Sequence, residues 1–359
     1  MVVDFIIVGQ GLSGTCFAFE LLRRRKSFII LDKFRANSSS QVALGVYNPI
    51  ILKWFTKPWN VDPQIDFFYS FYSHFGKLLN EDLFADSGIY KFLPTPGDQT
   101  NWLTKSNSIH KSQYMSSNLF DIDNVNLVNA NNYGYINKSG KLHVQRLLKL
   151  FRSYCVNHSL MKDEFFSYDD LKFDNSKFKY NNIVSNNLIF CEGKSAVNNP
   201  FFPSLNFKFN KGELITIHSS ELDINKIIHS GFLLVPLGHN LYSFGSTYND
   251  NFKNDLPSKI ALEKLKYSLK KVIKSKYKII SHRAAIRPST LDRRPLIGSH
   301  FKYSNMYILN GLGTRGVLLA PYMSNCLLNS IYSNTLIDSE ININRIRKAP
   351  LKGGFSYSK

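Results

Sequence analysis

No stretch of this sequence approaches the roughly 18 consecutive apolar residues that cross a bilayer, so a membrane-spanning helix is not expected. Cysteine is scarce: Cys16, Cys155, Cys191 and Cys326 lie far apart and form no C-x-x-C pair. Thiols so scattered read as small, reduced core residues. The nine histidines show neither H-x-H nor H-E-x-x-H spacing, and no metal site is expected. The first residues already read as a strand, which leaves no room for a signal peptide and implies a cytoplasmic location. Internal repeats and low-complexity linkers are absent. Acid is the last shortage: 26 Asp and Glu against 45 Lys and Arg leave a formal net charge of +19. Such an excess attracts polyanions such as RNA. It also has a plain compositional source, because the chain is crowded with the Lys, Asn, Ile, Phe and Tyr that an AT-rich genome favours.

What is present begins at Asp4, with DFIIVGQGLSGTCFAFELLRRRKSFIILDK. A short apolar strand leads into Gly9, Gly11 and Gly14 in G-x-G-x-x-G spacing, and apolar residues at helical intervals follow from 12 to 22. Basic residues 23–26 sit where cations offset the negative end of a helix, and a second apolar strand ends in Asp32. This order describes a βαβ unit built to hold a dinucleotide. Gly9 permits the turn, Gly11 lets the backbone approach a pyrophosphate, Gly14 lets helix and strand pack closely, and Asp32 is placed to accept from a ribose.

At 359 residues the chain is long enough for two domains. Residues 38–49 form a small, hydroxyl-rich loop, read either as reaching along a bound dinucleotide or as solvated surface. Residues 63–79 carry an aromatic stripe at helical spacing, which reads as core. Residues 81–135 are irregular, with turn signals at Pro94, Thr95, Pro96 and Gly97. Helical spacing returns over 144–155. Residues 187–193 read as a buried strand ending in Cys191, Glu192 and Gly193, at the edge where ligands lie in parallel sheets. Segments 214–218, 232–236 and 241–244 are β-like, and 257–274 reads as a helix with a basic face. A last apolar strand, 306–310, meets a second glycine-rich turn, residues 311–316, before an apolar helix over 317–331. Two glycine turns aimed at one ligand suit a flavin dinucleotide, whose reduced ring gains negative charge that helix-terminal N–H groups stabilise.

These motifs, together with CEG, RAAIRPSTLDRRPLIG (283–298) and LNGLGTRGVLLAP (309–321), resemble the D-amino-acid oxidase-like flavoproteins, which include glycine and sarcosine oxidases. Within that superfamily the loop over 45–49 and the turn over 311–316 are most similar to the oxidoreductase half of the bifunctional enzymes that make 5-methylaminomethyl-2-thiouridine in tRNA. The resemblance implies a two-domain α/β fold: a Rossmann-like FAD-binding domain with a doubly wound parallel sheet, and a smaller α+β substrate domain with an antiparallel sheet. The expected FAD-binding segments are 1–80, 141–213 and 285–345. The expected substrate segments are 81–140 and 214–284, with a tail at 346–359.

The same resemblance assigns site residues. Gly9, Gly11, Ser13 and Gly14 would hold the pyrophosphate of FAD, with Asp32 and Lys33 at the adenosine. Ser39, Ser40, Val42, Ala43, Leu44 and Gly45 would run along the flavin, and Cys191 and Gly193 would close on the nucleotide. Gly311, Leu312, Gly313, Thr314, Arg315, Gly316 and Val317 would contact the isoalloxazine. Arg287 would anchor a substrate carboxylate through its planar fork. It is otherwise a structural ion pair, with Asp292 the nearest acid in sequence. Arg287, Thr314 and Arg315 are the expected catalytic residues. The implied reaction is oxidation of the C–N bond of a small amino acid or glycine-like secondary amine. The alternatives are the carboxymethylaminomethyl group of a tRNA wobble uridine, with tRNA as partner, and an FAD-binding redox sensor without turnover.

Overall fold

Along the strand Val2–Val8 the side chains alternate between two buried faces. Ile6 and Val8 enter one apolar cluster with Ile29, Leu31, Leu188, Phe190 and Ile308. Phe5 turns the other way, its ring 5.4 Å from that of Phe17 on the helix Leu12–Arg23 and 6.5 Å from that of Tyr332 on the helix Gly316–Tyr332. A strand buried on both faces needs a near-continuous apolar run, which is what residues 5–8 supply. The computed structural model describes residues 1–348 apart from Ile109, Asn175, Ser204 and Asn206, so the tail expected at 346–359 lies from Ala349 on outside the described residues.

Val2–Val8 is central in a sheet whose parallel strands run in the order Met161–Lys162, Phe28–Leu31, Val2–Val8, Ile183–Phe190, Met306–Asn310. On its far side Ile183–Phe190 meets two neighbours. Lys177–Tyr180 pairs antiparallel with its first residues and Met306–Asn310 pairs parallel with its last three. Leu171–Asp174 and Leu296–Ser299 extend the sheet antiparallel. Three adjacent parallel strands therefore end on the same edge, and each reaches a glycine within three residues: Gly9, Gly193 and Gly311. The two long helices are tied by Arg24, which donates to Asn325 Oδ1 at 2.8 Å and Asn329 Oδ1 at 2.7 Å.

A second sheet has the order Lys278–Thr290, Phe207–His218, Leu241–Gly245, Phe232–Gly238, Ile227–Ser230, Ile89–Phe92, Tyr133–Ile136, Met115–Phe120. Its described pairings are antiparallel except that of Ile227–Ser230 with Ile89–Phe92. The helix Lys259–Leu269 covers one face through Leu265 and Leu269, which join Ile215, Ile217, Leu234 and Phe244. It is shorter than the 257–274 expected, and its lysines continue into the turns beyond it. The aromatic stripe lies on the helix Val61–Leu79, with Phe68, Phe71, Tyr72 and Phe75 buried as core against Tyr47, Phe84 and Phe151. The turn signals at 94–97 are instead a helix start. Thr95 and Asp98 form a reciprocal capping box, Pro96 occupies the first helical position, and the helix runs Pro96–Ser106.

By contacts the chain forms two compact units, one of Met1–Phe34, Arg152–Phe209 and the chain from Pro288 onward, the other of Arg35–Phe151 and Asn210–Arg287. The junction expected at residue 80 thus contrasts with a division at residue 34, because the aromatic helix finds its ring partners in the second unit. That unit is also the longer one.

The second unit contains a pH-sensitive point. His229, paired in register with Lys91, has a buried Nδ1 without a hydrogen-bond partner, and burial pushes its pKa down to about 3. Above pH ~6.5 both folded and unfolded chains hold it neutral. Below that the unfolded chain binds a proton the folded one refuses, so stability falls as pH drops toward 3, by up to about 1.4 kcal/mol per pH unit. Melting curves between pH 7 and 4 should show a shallower loss in His229→Phe than in the wild type.

Candidate active site

The first glycine turn is closed by the backbone itself. Gly9 has φ +100°, its N–H donates to Leu31 O at 2.9 Å, and a Cβ there would lie 2.7 Å from Cys191 O. A Cβ on Gly14 would lie 1.9 Å from Gly9 O, so helix and turn touch as the spacing predicts. Gly11 differs: its φ of −73° is open to any residue, and it caps Leu12–Arg23 without a side-chain hydrogen bond. Ser13 lies in the first turn of that helix.

Asp32 follows the second strand, and both carboxylate oxygens are engaged. Oδ1 accepts from Gln10 N–H at 2.9 Å and Oδ2 from Arg152 Nη1 at 2.8 Å. Arg152 also donates to Gln10 Oε1 and to Asp163, which pairs in turn with Lys33 at 3.0 Å. Arg152 is a site residue that sequence reasoning missed. It lies 120 positions from Asp32, in the helix Val144–Asn157, and nothing in its own surroundings marks it.

The other two turns are joined by Asn310, also missed. Its Nδ2 donates to Gly193 O at 2.9 Å and its Oδ1 accepts from Gly311 N–H at 2.8 Å. Its place directly before the glycine turn is the signal that would have found it. Gly193 and Gly311 both have positive φ, and a Cβ on Gly193 would meet no atom within 4 Å. Cys191 is buried, and burial raises its thiol well above the usual range, so it is an inert packing residue. Leu312 and Val317 are buried, Gly313 has φ +54°, and Thr314 is exposed. Arg315 occupies the N-cap position of Gly316–Tyr332, and burial holds its guanidinium down to about 10.

In the second unit Ser39, Ser40 and Val42 lie in a short helix, Ser39–Val42, capped by Ser38. Arg283 donates to Gln41 O at 2.7 Å, and Gln145 donates to Ala43 O at 2.7 Å. Val42 and Leu44 pack on Leu214 and Ala285. At Gly45, φ is +76° and a Cβ would fall 2.0 Å from Leu142 O. The segment is fastened to the sheet, unlike a solvated loop.

On the same face of Lys278–Thr290 as Arg283 and Ala285 stands Arg287. Nη1 donates to Asn210 Oδ1 at 2.6 Å and to Thr247 O at 3.4 Å, and Nη2 donates to Ser246 Oγ at 2.5 Å. Every acceptor is neutral. Asp292 instead accepts from Arg345 Nε at 2.8 Å, so the ion pair weighed above for Arg287 is not formed. Burial holds the Arg287 guanidinium down to about 10, the Tyr248 phenol opposing it. A half-buried cation left without an anion is costly.

A family model for FAD dependent oxidoreductases (DAO) matches residues 185–329, which span the Cys191, Arg287 and Gly311 segments. Glycine oxidase of Bacillus subtilis is 20% identical over 94% of each chain. The two matches support a D-amino-acid oxidase-like FAD-dependent oxidoreductase. Among solved structures this oxidoreductase is similar to glycine oxidase from Bacillus cereus, with TM-score 0.74, 16% identity and 93% and 96% of the two chains covered. It is also similar to L-amino acid deaminase from Proteus vulgaris, with TM-score 0.75, 12% identity and 96% and 97% covered. The first turn fits the cofactor: side chains are excluded at 9 and 14 by contact with backbone, and 11 carries none ahead of a helix start without a side-chain cap. Among the described residues no group of His, Cys, Asp and Glu could hold a metal, and no helix is long and apolar enough to cross a membrane.

Proposed function

We propose that this oxidoreductase acts on a small carboxylated amine, an amino acid or a glycine-like secondary amine, at the carbon next to nitrogen. The observation that carries the reading is Arg287, a half-buried guanidinium held by neutral oxygens alone. A substrate carboxylate would complete it through two parallel hydrogen bonds and so fix the reacting carbon. FAD, when bound, accepts the hydride. The amine lone pair assists hydride departure, and the resulting imine is hydrolysed by water, so no dedicated base is needed. Gly9, Gly11, Ser13 and Gly14 would hold the pyrophosphate, and Asp32, oriented by Arg152, with Lys33 beside it, would meet the adenosine. The tethered residues 39–45, the turn at Cys191 and Gly193, and residues 311–317 would hold the rest of the cofactor. Arg315 and the helix start after it would favour charge on the ring.

One observation favours a second reading, in which the carboxylated amine is carried on a tRNA wobble uridine. A groove of about 1020 Å³ is lined by Lys266, Lys270, Lys274 and Lys276 with Tyr277 and Ile279. Lys266 pairs with Glu263, while no ion pair engages Lys270, Lys274 or Lys276 among the described residues. The two readings separate on anaerobic mixing, with flavin bleaching as the readout. Glycine or sarcosine should bleach the flavin at rates independent of salt. A tRNA substrate should bind about 10³-fold more weakly at 200 mM than at 50 mM salt if roughly six phosphates are touched. Reversing Lys270, Lys274 and Lys276 to Glu would flatten that slope and leave small amines unaffected. Failure of both substrate classes to bleach the flavin would refute the carboxylated-amine reading.

A further inference from the structure

The acceptors around Arg287 are arranged more narrowly than burial requires. Two hydrogen bonds leave Nη1 and one leaves Nη2, so the Nε–H and the second Nη2–H have no partner among the described residues. Those two groups can form the side-on fork that receives a carboxylate. The guanidinium lies directly over Gly212, where a Cβ would fall 1.9 Å from Nη2 and 2.3 Å from Cζ. Asn210, two residues earlier on the same face of Phe207–His218, accepts from Nη1 and donates from Nδ2 to Asp250 Oδ1 at 3.0 Å. A carboxylate on one side and a guanidinium on the other leave the amide one satisfactory orientation, nitrogen to Asp250 and oxygen to Arg287. Strand alternation sends the neighbouring acid, Glu213, to the opposite face. There Lys211, Ser258 and His282 engage it at 3.0, 2.8 and 3.0 Å.

We propose that Asn210 is a neutral spacer, fixed by Asp250, that separates the Arg287 guanidinium from the protein's own carboxylates and leaves its Nε and Nη2 fork for a ligand. Asn210, Ser246 and Asp250 are thus positioning residues, and Gly212 gives the guanidinium its bed. The inference rests on the reading of Arg287 as a carboxylate receptor. Asn210→Asp is nearly isosteric and supplies an internal anion, which would satisfy the cation and remove its demand for an external one.

The test uses the FAD-loaded protein and acetate as the probe, followed by the flavin difference spectrum. In Asn210→Asp the acetate Kd should rise about 30-fold or more, the scale of a hydrogen-bonded charge contact, with FAD still bound and with the steady-state loss larger in KM than in kcat. Asp250→Asn, which frees the amide to flip, should raise the Kd roughly three-fold or more. It carries the test alone if Asn210→Asp does not fold. Wild-type Kd values in these variants, with binding abolished in Arg287→Met, would overturn the spacer and leave the Arg287 reading standing. Acetate affecting wild type and Arg287→Met alike, or neither of them, would remove the Arg287 reading and the spacer with it.

Discussion

Gly11→Val should yield a folded but colourless protein. The three glycines of the first turn answer to different constraints, and the backbone dihedrals at Gly11 do not themselves require glycine. Gly9 is held at φ +100° and Gly14 against Gly9 O, so side chains at either position disturb the fold. Gly11, at φ −73° and ψ −169°, asks nothing that valine cannot adopt. The isopropyl group would occupy the approach of the pyrophosphate, at an overpacking cost near the top of the ~1–3 kcal/mol range, which is about 100-fold in FAD affinity. Bound-flavin absorbance after purification, and a titration of the apoprotein with FAD followed by fluorescence, measure it. A yellow Gly11→Val with wild-type affinity would place the cofactor elsewhere.

Arg287 should show the opposite signs for binding and stability. Arg287→Lys keeps the charge and loses the fork, so apparent substrate affinity should fall by about 1.5–3 kcal/mol, roughly 10- to 150-fold, with FAD retained. Arg287→Met should bind still less, yet melt no lower than the wild type and up to a few degrees (~2–4 °C) higher, because it removes a desolvated cation that no carboxylate offsets. An arginine paired with a carboxylate would behave otherwise, since deleting it strands a buried anion. Thermal denaturation beside steady-state kinetics separates the two cases. A Met variant that melts well below the wild type with unchanged KM would return Arg287 to a structural role.

The legible parts of this molecule are those whose cause is local. The first βαβ unit can be read because strand, turn, helix and acid follow one another within about 30 residues, the span of such a unit. The glycines at 193 and 311 can be read for the same reason. Asn210, Ser246 and Arg287 are brought together by the pairing of distant strands, and no window of sequence contains all three. Arg152 reaches Asp32 for a comparable reason. The helix start at Thr95 was legible and misread: proline and glycine beside threonine look like a turn, but the acid three residues on belongs to a capping box.

The double neighbourhood of Ile183–Phe190 bears on how the chain is made. Val2–Val8 leaves the ribosome early, but its inner partner lies some 180 residues downstream, and that partner's own neighbour, Met306–Asn310, is later still. During synthesis the apolar strands 2–8 and 28–31 must therefore wait, with unpaired edges, until most of the polypeptide has emerged. Contacts of such long sequence separation form slowly and leave sticky intermediates exposed. Asn310 is also what joins the turns at Gly193 and Gly311. Holding the nucleotide between these turns would accordingly need the chain through residue 311, and a nascent chain stalled before residue 306 is expected to bind chaperones or aggregate whether or not flavin is added.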